Sequence, residues 1–233
     1  MGDQITVAAL SPAGVVRRAR EGGFALDAES LMSSEFGTVL NGSRATDSQL
    51  QALFAPYLFS HPRGSANPAA PLVAGARAKG LRFIFAESCT GGLAGALVTA
   101  VPGSSECFWG SMVTYANAAK ERILGVSTLE THGAVSEATV RAMVSGALEI
   151  SSTDAALAIS GIAGPGGGTE QKPVGTVWFA FGFQREIRAF RARLSGDRDA
   201  VRSKAAALAC CALANELGGA LLDSEWIAEY TFT

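Results

Sequence analysis

From Leu81 onward short apolar runs alternate with stretches of helical spacing, and this alternation restricts the fold more than any other feature. Leu81 to Ala86 (LRFIFA) has the length and composition of a buried strand. It runs through Glu87-Ser88-Cys89-Thr90-Gly91-Gly92 into a helical stretch, Leu93 to Val101, that Pro102-Gly103 stops. Trp109 to Tyr115 is expected to be a second buried strand. Asn117 to Leu124 is expected to be a helix closed by Gly125, and Ser136 to cap a helix reaching about Ile150. Ala155 to Ser160 consists of small and apolar residues, as a central strand does. Thr176 to Phe183 and Arg185 to Leu194 follow as a strand pair, the second alternating apolar residues with arginines like an outer antiparallel strand. A short helix, Pro71 to Lys79, precedes the series, and an Ala-rich one from an Asp cap, Asp197 to Leu217, ends it. Strands alternating with helices predict an α/β layered domain with a mixed sheet.

The residues before this series are less regular. Val7 to Arg20 and Thr46 to Leu58 have weak helical periodicity, with Thr46 as an N-cap and Leu50, Leu53 and Phe54 as an apolar stripe. The Pro, Gly and Asn content of His61 to Pro68 predicts a linker. The expected organisation is an N-terminal extension over 1–67, a main domain over 68–220 and a tail over 221–233.

Composition narrows the function classes. With 48% hydrophobic and 17% charged residues the chain is globular. A formal net charge of −2 and the lack of any Lys/Arg run give no footprint for nucleic acid. No apolar stretch reaches the ~18 residues of a membrane span. The N-terminus lacks a basic segment followed by an apolar core, so a cytoplasmic location is expected. Four cysteines (Cys89, Cys107, Cys210, Cys211) form no C-x-x-C pair and are expected as reduced thiols. The only histidines, His61 and His132, exclude a His-rich metal site.

Four segments carry candidate chemistry. Ser88 lies where a strand turns into a helix, and Gly91 and Gly92 let a ligand approach the main chain, a setting for a nucleophile and for an anion or oxyanion at backbone N–H groups. Ser88 or Thr90 as a plain helix cap is the structural alternative, and Cys89 is the rival nucleophile. With two histidines in the chain, lysine is the natural base for a serine, provided burial lowers its pKa. Tyr115 and Lys120 follow a strand end, where sites in open α/β sheets collect; a solvated lysine is the alternative. The glycine-rich loop 161–175 leaves a central strand, with six glycines and two prolines. It is either an anion-binding loop or a hairpin connection. Arg198 opens the last helix, where the helix dipole disfavours a cation, so a substrate anion or a nearby carboxylate should hold it.

Six segments together resemble one family. They are Ala86-Glu87-Ser88-Cys89-Thr90-Gly91-Gly92, Val113-Thr114-Tyr115-Ala116-Asn117-Ala118-Ala119-Lys120, His132-Gly133-Ala134-Val135-Ser136, Ile159 to Gly167, Lys172 to Val177, and Gly196-Asp197-Arg198. In order and spacing they are similar to the CinA C-terminal domain family, the nicotinamide-nucleotide amidases, over about Ala70 to Leu217. The resemblance implies a three-layer α/β/α sandwich, often oligomeric. It implies hydrolysis of nicotinamide mononucleotide to nicotinic acid mononucleotide and ammonia, in pyridine-nucleotide salvage. It assigns catalysis to a Ser–Lys pair, here Ser88 and Lys120 with Tyr115 close by, without metal or cofactor. On that footing the oxyanion falls to Thr90, Gly91 and Gly92. The 5′-phosphate falls to Arg198 or to the loop glycines Gly161, Gly164, Gly167 and Gly168, and Glu87 is placed beside the pyridinium. The partners expected are a small pyridine nucleotide and further copies of the chain, with no nucleic acid and no membrane. Larger family members carry an N-terminal molybdopterin-binding-like domain; residues 1–67 are too short for it and do not resemble it. Because the family includes proteins linked to competence and DNA damage, a nucleotide-binding adaptor without turnover is the alternative function.

Overall fold

The computed structural model describes residues 4–8, 12–26, 31–34, 36–40, 47–54, 58–61, 67–183 and 186–218. Most of the expected linker and all of the expected tail 221–233 lie outside them.

The main body is a five-stranded mixed sheet covered by helices on both faces. Its strands are β5 (Phe83–Glu87), β6 (Phe108–Val113), β7 (Ala155–Gly161), β8 (Thr176–Phe183) and β9 (Glu186–Arg193), in the order β6-β5-β7-β8-β9. β5 pairs parallel with both β6 and β7, whereas β8 and β9 are added antiparallel. Along β5 the side chains alternate between two cores. Phe83 and Phe85 join the cluster that includes α3 (Ala70–Lys79), α4 (Leu93–Thr99) and α8 (Arg198–Gly218). Ile84 and Ala86 join the opposite cluster, with α5 (Asn117–Leu124) and α7 (Glu137–Ser151). A short helix α6 (Leu129–His132) links the last two. The three-layer α/β/α sandwich is therefore the fold.

Local chemistry sets the helix ends. Ser136 accepts the Thr139 N–H at 3.2 Å and so starts α7. Asp197 Oδ1 accepts the Ala200 N–H at 2.9 Å and starts α8. Gly80 and Gly125, both left-handed, end α3 and α5. One expectation is corrected: β6 is not a buried strand but the sheet's edge, with Trp109 42% and Val113 45% exposed.

The N-terminal residues hold more structure than their periodicity suggests. β1 (Gln4–Ala8), α1 (Pro12–Glu21), β2 (Leu31–Ser34), β3 (Gly37–Leu40), α2 (Asp47–Phe54) and β4 (Leu58–His61) follow one another. The strands form an antiparallel sheet in the order β2-β3-β1-β4, the split β-α-β arrangement. The two stretches of weak helical periodicity do contain α1 and α2, but Val7 and Leu58 belong to strands. β1 lies against α8, and Val7, Val15, Leu40 and Phe54 share one buried cluster with that helix. No helix of the described residues is long and apolar enough to cross a membrane.

Candidate active site

Because β5, β6 and β7 run parallel, the Ser88 turn, the Tyr115–Lys120 segment and the glycine-rich loop leave the sheet at the same end. The Thr114 N–H donates to the Glu87 carbonyl at 2.8 Å and the Ser88 N–H to the Ile159 carbonyl at 3.0 Å, which carries the ladder to the lip of the site. A cavity of about 280 Å³ lies there. Ser88, Tyr115, Lys120, Gly161, Gly164, Gly167 and Arg198 all line it.

Lys120 sits in the first turns of α5 with 1% of its surface exposed. Its Nζ donates to Ser88 Oγ at 2.9 Å, to the Thr114 carbonyl at 2.8 Å and to the Tyr115 carbonyl at 3.0 Å. Burial pushes its pKa below the ordinary lysine value. An amine held by two carbonyls has one remaining tetrahedral position, and that position faces Ser88. Once neutral, it keeps both carbonyl bonds and turns its lone pair to the serine hydroxyl. Lys120 is thus not the solvated lysine that its place on a helix allows.

The rival nucleophile is disabled by its surroundings. Cys89 is 5% exposed, and burial pushes its thiol up to about 12. It is not a thiolate at neutral pH. Cys107, Cys210 and Cys211 are likewise buried free thiols.

Several expected roles need correcting. Glu87 does not face the cavity and is fully buried on the other side of the strand. Its carboxylate accepts the N–H groups of Gly92 at 2.9 Å, Ala94 at 3.2 Å and Gly95 at 2.8 Å, together with the Ser111 hydroxyl at 2.6 Å. The anion expected at the start of α4 is therefore a side chain of the chain itself. That occupies the N–H of Gly92, and the N–H of Gly91 donates to the Ser88 carbonyl at 3.0 Å. Neither is available to an oxyanion. Thr90 is fully buried under the turn. Its N–H and that of Cys89 lie against the Cys89 sulfur, where they oppose the rise in its pKa. Gly168 packs on the Val174 main chain, leaving no room for a Cβ, and lies away from the cavity; Gly166 lines it instead.

Arg198 donates to the Gly164 carbonyl at 2.8 Å and to the Tyr115 hydroxyl at 2.9 Å, bridging three loops at the mouth. Both acceptors are uncharged. The nearby Asp199 pairs with Arg202 instead, at 3.4 Å. The sequence did not single out Asn117, Val135 and Ser160 as lining residues, although each lies in one of the six segments. Ser160 ties β7 to the loop before α7 through the Ala134 carbonyl at 2.7 Å. Among the described residues no group of His, Cys, Asp and Glu gathers as a metal site.

The profile of the CinA C-terminal domain matches residues 66–217. The chain belongs to that family. Nicotinamide-nucleotide amidohydrolase PncC of Shigella flexneri is 52% identical over 136 residues, which span 57% of this chain and 82% of that protein. A CinA-like protein of Gemmatimonas aurantiaca is 44% identical over 153 residues, 65% of this chain but 36% of that protein. The crystal structure of a CinA superfamily protein from Klebsiella pneumoniae superposes with a TM-score of 0.63 at 40% identity, covering 65% of this chain and 96% of that one. The family profile, over 66–217, leaves the N-terminal sheet aside.

Proposed function

We propose that this chain hydrolyses the carboxamide of a nicotinamide nucleotide, nicotinamide mononucleotide in the first instance, by a Ser88–Lys120 mechanism within pyridine-nucleotide salvage. The chain is an enzyme of the amidohydrolase kind, as its 52% identity to PncC indicates. What carries the Ser–Lys assignment is the 2.9 Å contact between a buried lysine and a serine at the floor of the cavity.

Neutral Lys120 takes the Ser88 proton as Oγ attacks the carboxamide carbon. The N–H groups of Gly91 and Gly92 are already bonded and are not the oxyanion donors. The Lys120 ammonium then protonates the departing nitrogen, the C–N bond breaks and ammonia leaves. A water attacks the Ser88 ester and gives its proton to Lys120, which returns it to Ser88 as the nicotinate nucleotide is released. Arg198 has guanidinium N–H groups beyond the two bonded to Gly164 and Tyr115, and these suit a phosphate at the mouth. Tyr115 holds Arg198 through its hydroxyl and Lys120 through its carbonyl.

Ammonia release from nicotinamide mononucleotide by the purified chain tests this. Ser88→Ala should lower kcat by at least ~10³-fold. Lys120→Met should lower it by ~10²–10⁴-fold, with fold retained by circular dichroism. Turnover that survives both substitutions would remove the mechanism, and no turnover in the parent chain would remove the activity.

A further inference from the structure

Among the described residues the cavity is lined by two basic side chains, Lys120 and Arg198, and by no carboxylate. Glu87, next to Ser88 in sequence, has its carboxylate tied up by α4 and Ser111 on the far side of the strand. A carboxamide carbon in reach of Ser88 Oγ must also lie close to Lys120 Nζ, because those two atoms are 2.9 Å apart. In a nicotinamide nucleotide the quaternary ring nitrogen is only a few bonds from that carbon. A fixed positive charge is then seated next to a buried lysine, with no anion on the lining between them.

The groups around Lys120 do not offset that charge. The turn after β5 brings Ser88 and the neutral Cys89 thiol. The end of β6 brings the Tyr115 phenol, and α8 brings another cation, Arg198. The loop before α7 brings Ala134 and Val135. On α7, Glu137 and Arg141 pair with each other at 2.8 Å, and on α5 itself Glu121 and Arg122 are exposed. Loss of a proton breaks no bond to the main chain, since the neutral amine still has an N–H for each of the Thr114 and Tyr115 carbonyls. Ser88 simply changes from acceptor to donor.

Resting on the amidase activity proposed above, we propose that the substrate's own ring cation expels the proton from Lys120. The pocket then makes its lysine a base when a carboxamide on a cationic ring is bound, and thereby selects such amides over neutral ones. A like charge at this range shifts a neighbouring group by about 1–3 pKa units. By linkage, affinity for the cationic nucleotide must rise with pH, up to about tenfold per unit while one proton is released.

The test is calorimetric binding to Ser88→Ala in buffers of differing ionisation enthalpy, from mildly acidic to alkaline pH. The two probes are nicotinamide mononucleotide and the C-linked mononucleotide of benzamide, which keeps carboxamide, ribose and phosphate but has a neutral ring. Titration of the phosphate contributes alike to both. The expected result is up to one extra proton released by the cationic nucleotide, with the excess gone in Ser88→Ala/Lys120→Met. In the parent chain, the alkaline-rising limb of kcat for nicotinamide mononucleotide should lie about 1–3 pH units below that of kcat/KM. Equal proton release by both probes, or an excess that persists without Lys120, overturns the coupling. If the parent chain still releases ammonia in that case, the amidase stands and the coupling alone falls; no ammonia release at any pH removes both.

Discussion

At the scale of single residues, Lys120 sets activity against stability. An ammonium loses hydration when it is buried, so its pKa is lower in the folded chain than in the unfolded one. The unfolded chain then binds more protons between those two values, and stability rises with pH through that window and is reduced below it. Lys120→Met keeps the apolar stem and removes the charge. It is expected to raise Tm at neutral pH by a few degrees while cutting turnover ~10²–10⁴-fold, as thermal unfolding beside the ammonia assay will show. A lower Tm would mean that the hydrogen bonds to Ser88, Thr114 and Tyr115 outweigh the desolvation. The same shift fixes the pH dependence. Turnover should rise with pH as Lys120 deprotonates and level off below the ordinary lysine value of about 10.4.

At the scale of elements, the site depends on how strands and helices hold the turn and the lysine. Glu87 caps the start of α4 from inside the protein, and the glycines at 91 and 92, both with positive φ, bend the chain around it. Glu87→Gln replaces an acceptor with a donor opposite N–H groups, so a loss of about 1–3 kcal/mol is expected in denaturant unfolding, together with a fall in kcat. A stable variant with full turnover would show that the turn does not need this carboxylate. The helix that carries Lys120 is placed just as tightly. A Cβ on Gly146 of α7 would lie 2.0 Å from the Leu124 carbonyl oxygen at the end of α5, and backbone cannot yield as a side-chain tip does. Gly146→Ala should therefore move α5, lowering Tm and cutting kcat by about tenfold or more, as the loss of a well-placed base does. A variant that keeps kcat would show that α5 adjusts without moving its lysine.

These elements were legible in the sequence to different degrees, for physical reasons. The helices and strands after Ala70 carry their own caps and apolar periods, so their order could be read. The placement of Ser88, Lys120 and Arg198 around one cavity follows once β5, β6 and β7 are parallel neighbours. Glu87 could have been placed by alternation alone, because Phe83 and Phe85 put it on the α8 side of the strand and Ser88 on the other. Nothing local marks β6 as an edge, since sheet order is decided by pairing. The N-terminal strands β2, β3 and β4 span four residues each, too few for a period of two to stand out, and β1 and β4 pair across most of the N-terminal sequence.

At the scale of the whole molecule, α8 explains what the N-terminal sheet does for the rest. Every residue of α8 from Ala205 to Leu213 is buried, so the helix has no solvent face over that length. A helix apolar all round must be covered on every side. The five-stranded sheet with α3 and α4 covers part of it, and β1 with the cluster around Val7 and Phe54 lies against it as well. Among the described residues none before Ser88 lines the cavity, so there the cover and the chemistry are separate. A chain beginning at Asn67 should then keep the cavity and its ammonia release but expose apolar surface on α8. With roughly 25 cal/mol for each Å² returned to water, a few kcal/mol is at stake. For a chain of this size that corresponds to a fall in Tm on the order of 5–10 °C. Self-association should accompany it, visible by light scattering as particles larger than those of the full chain at the same concentration. If the shortened chain unfolds at the parent temperature and scatters no more light, α8 is covered from within the main body, and the N-terminal sheet must be held for another reason.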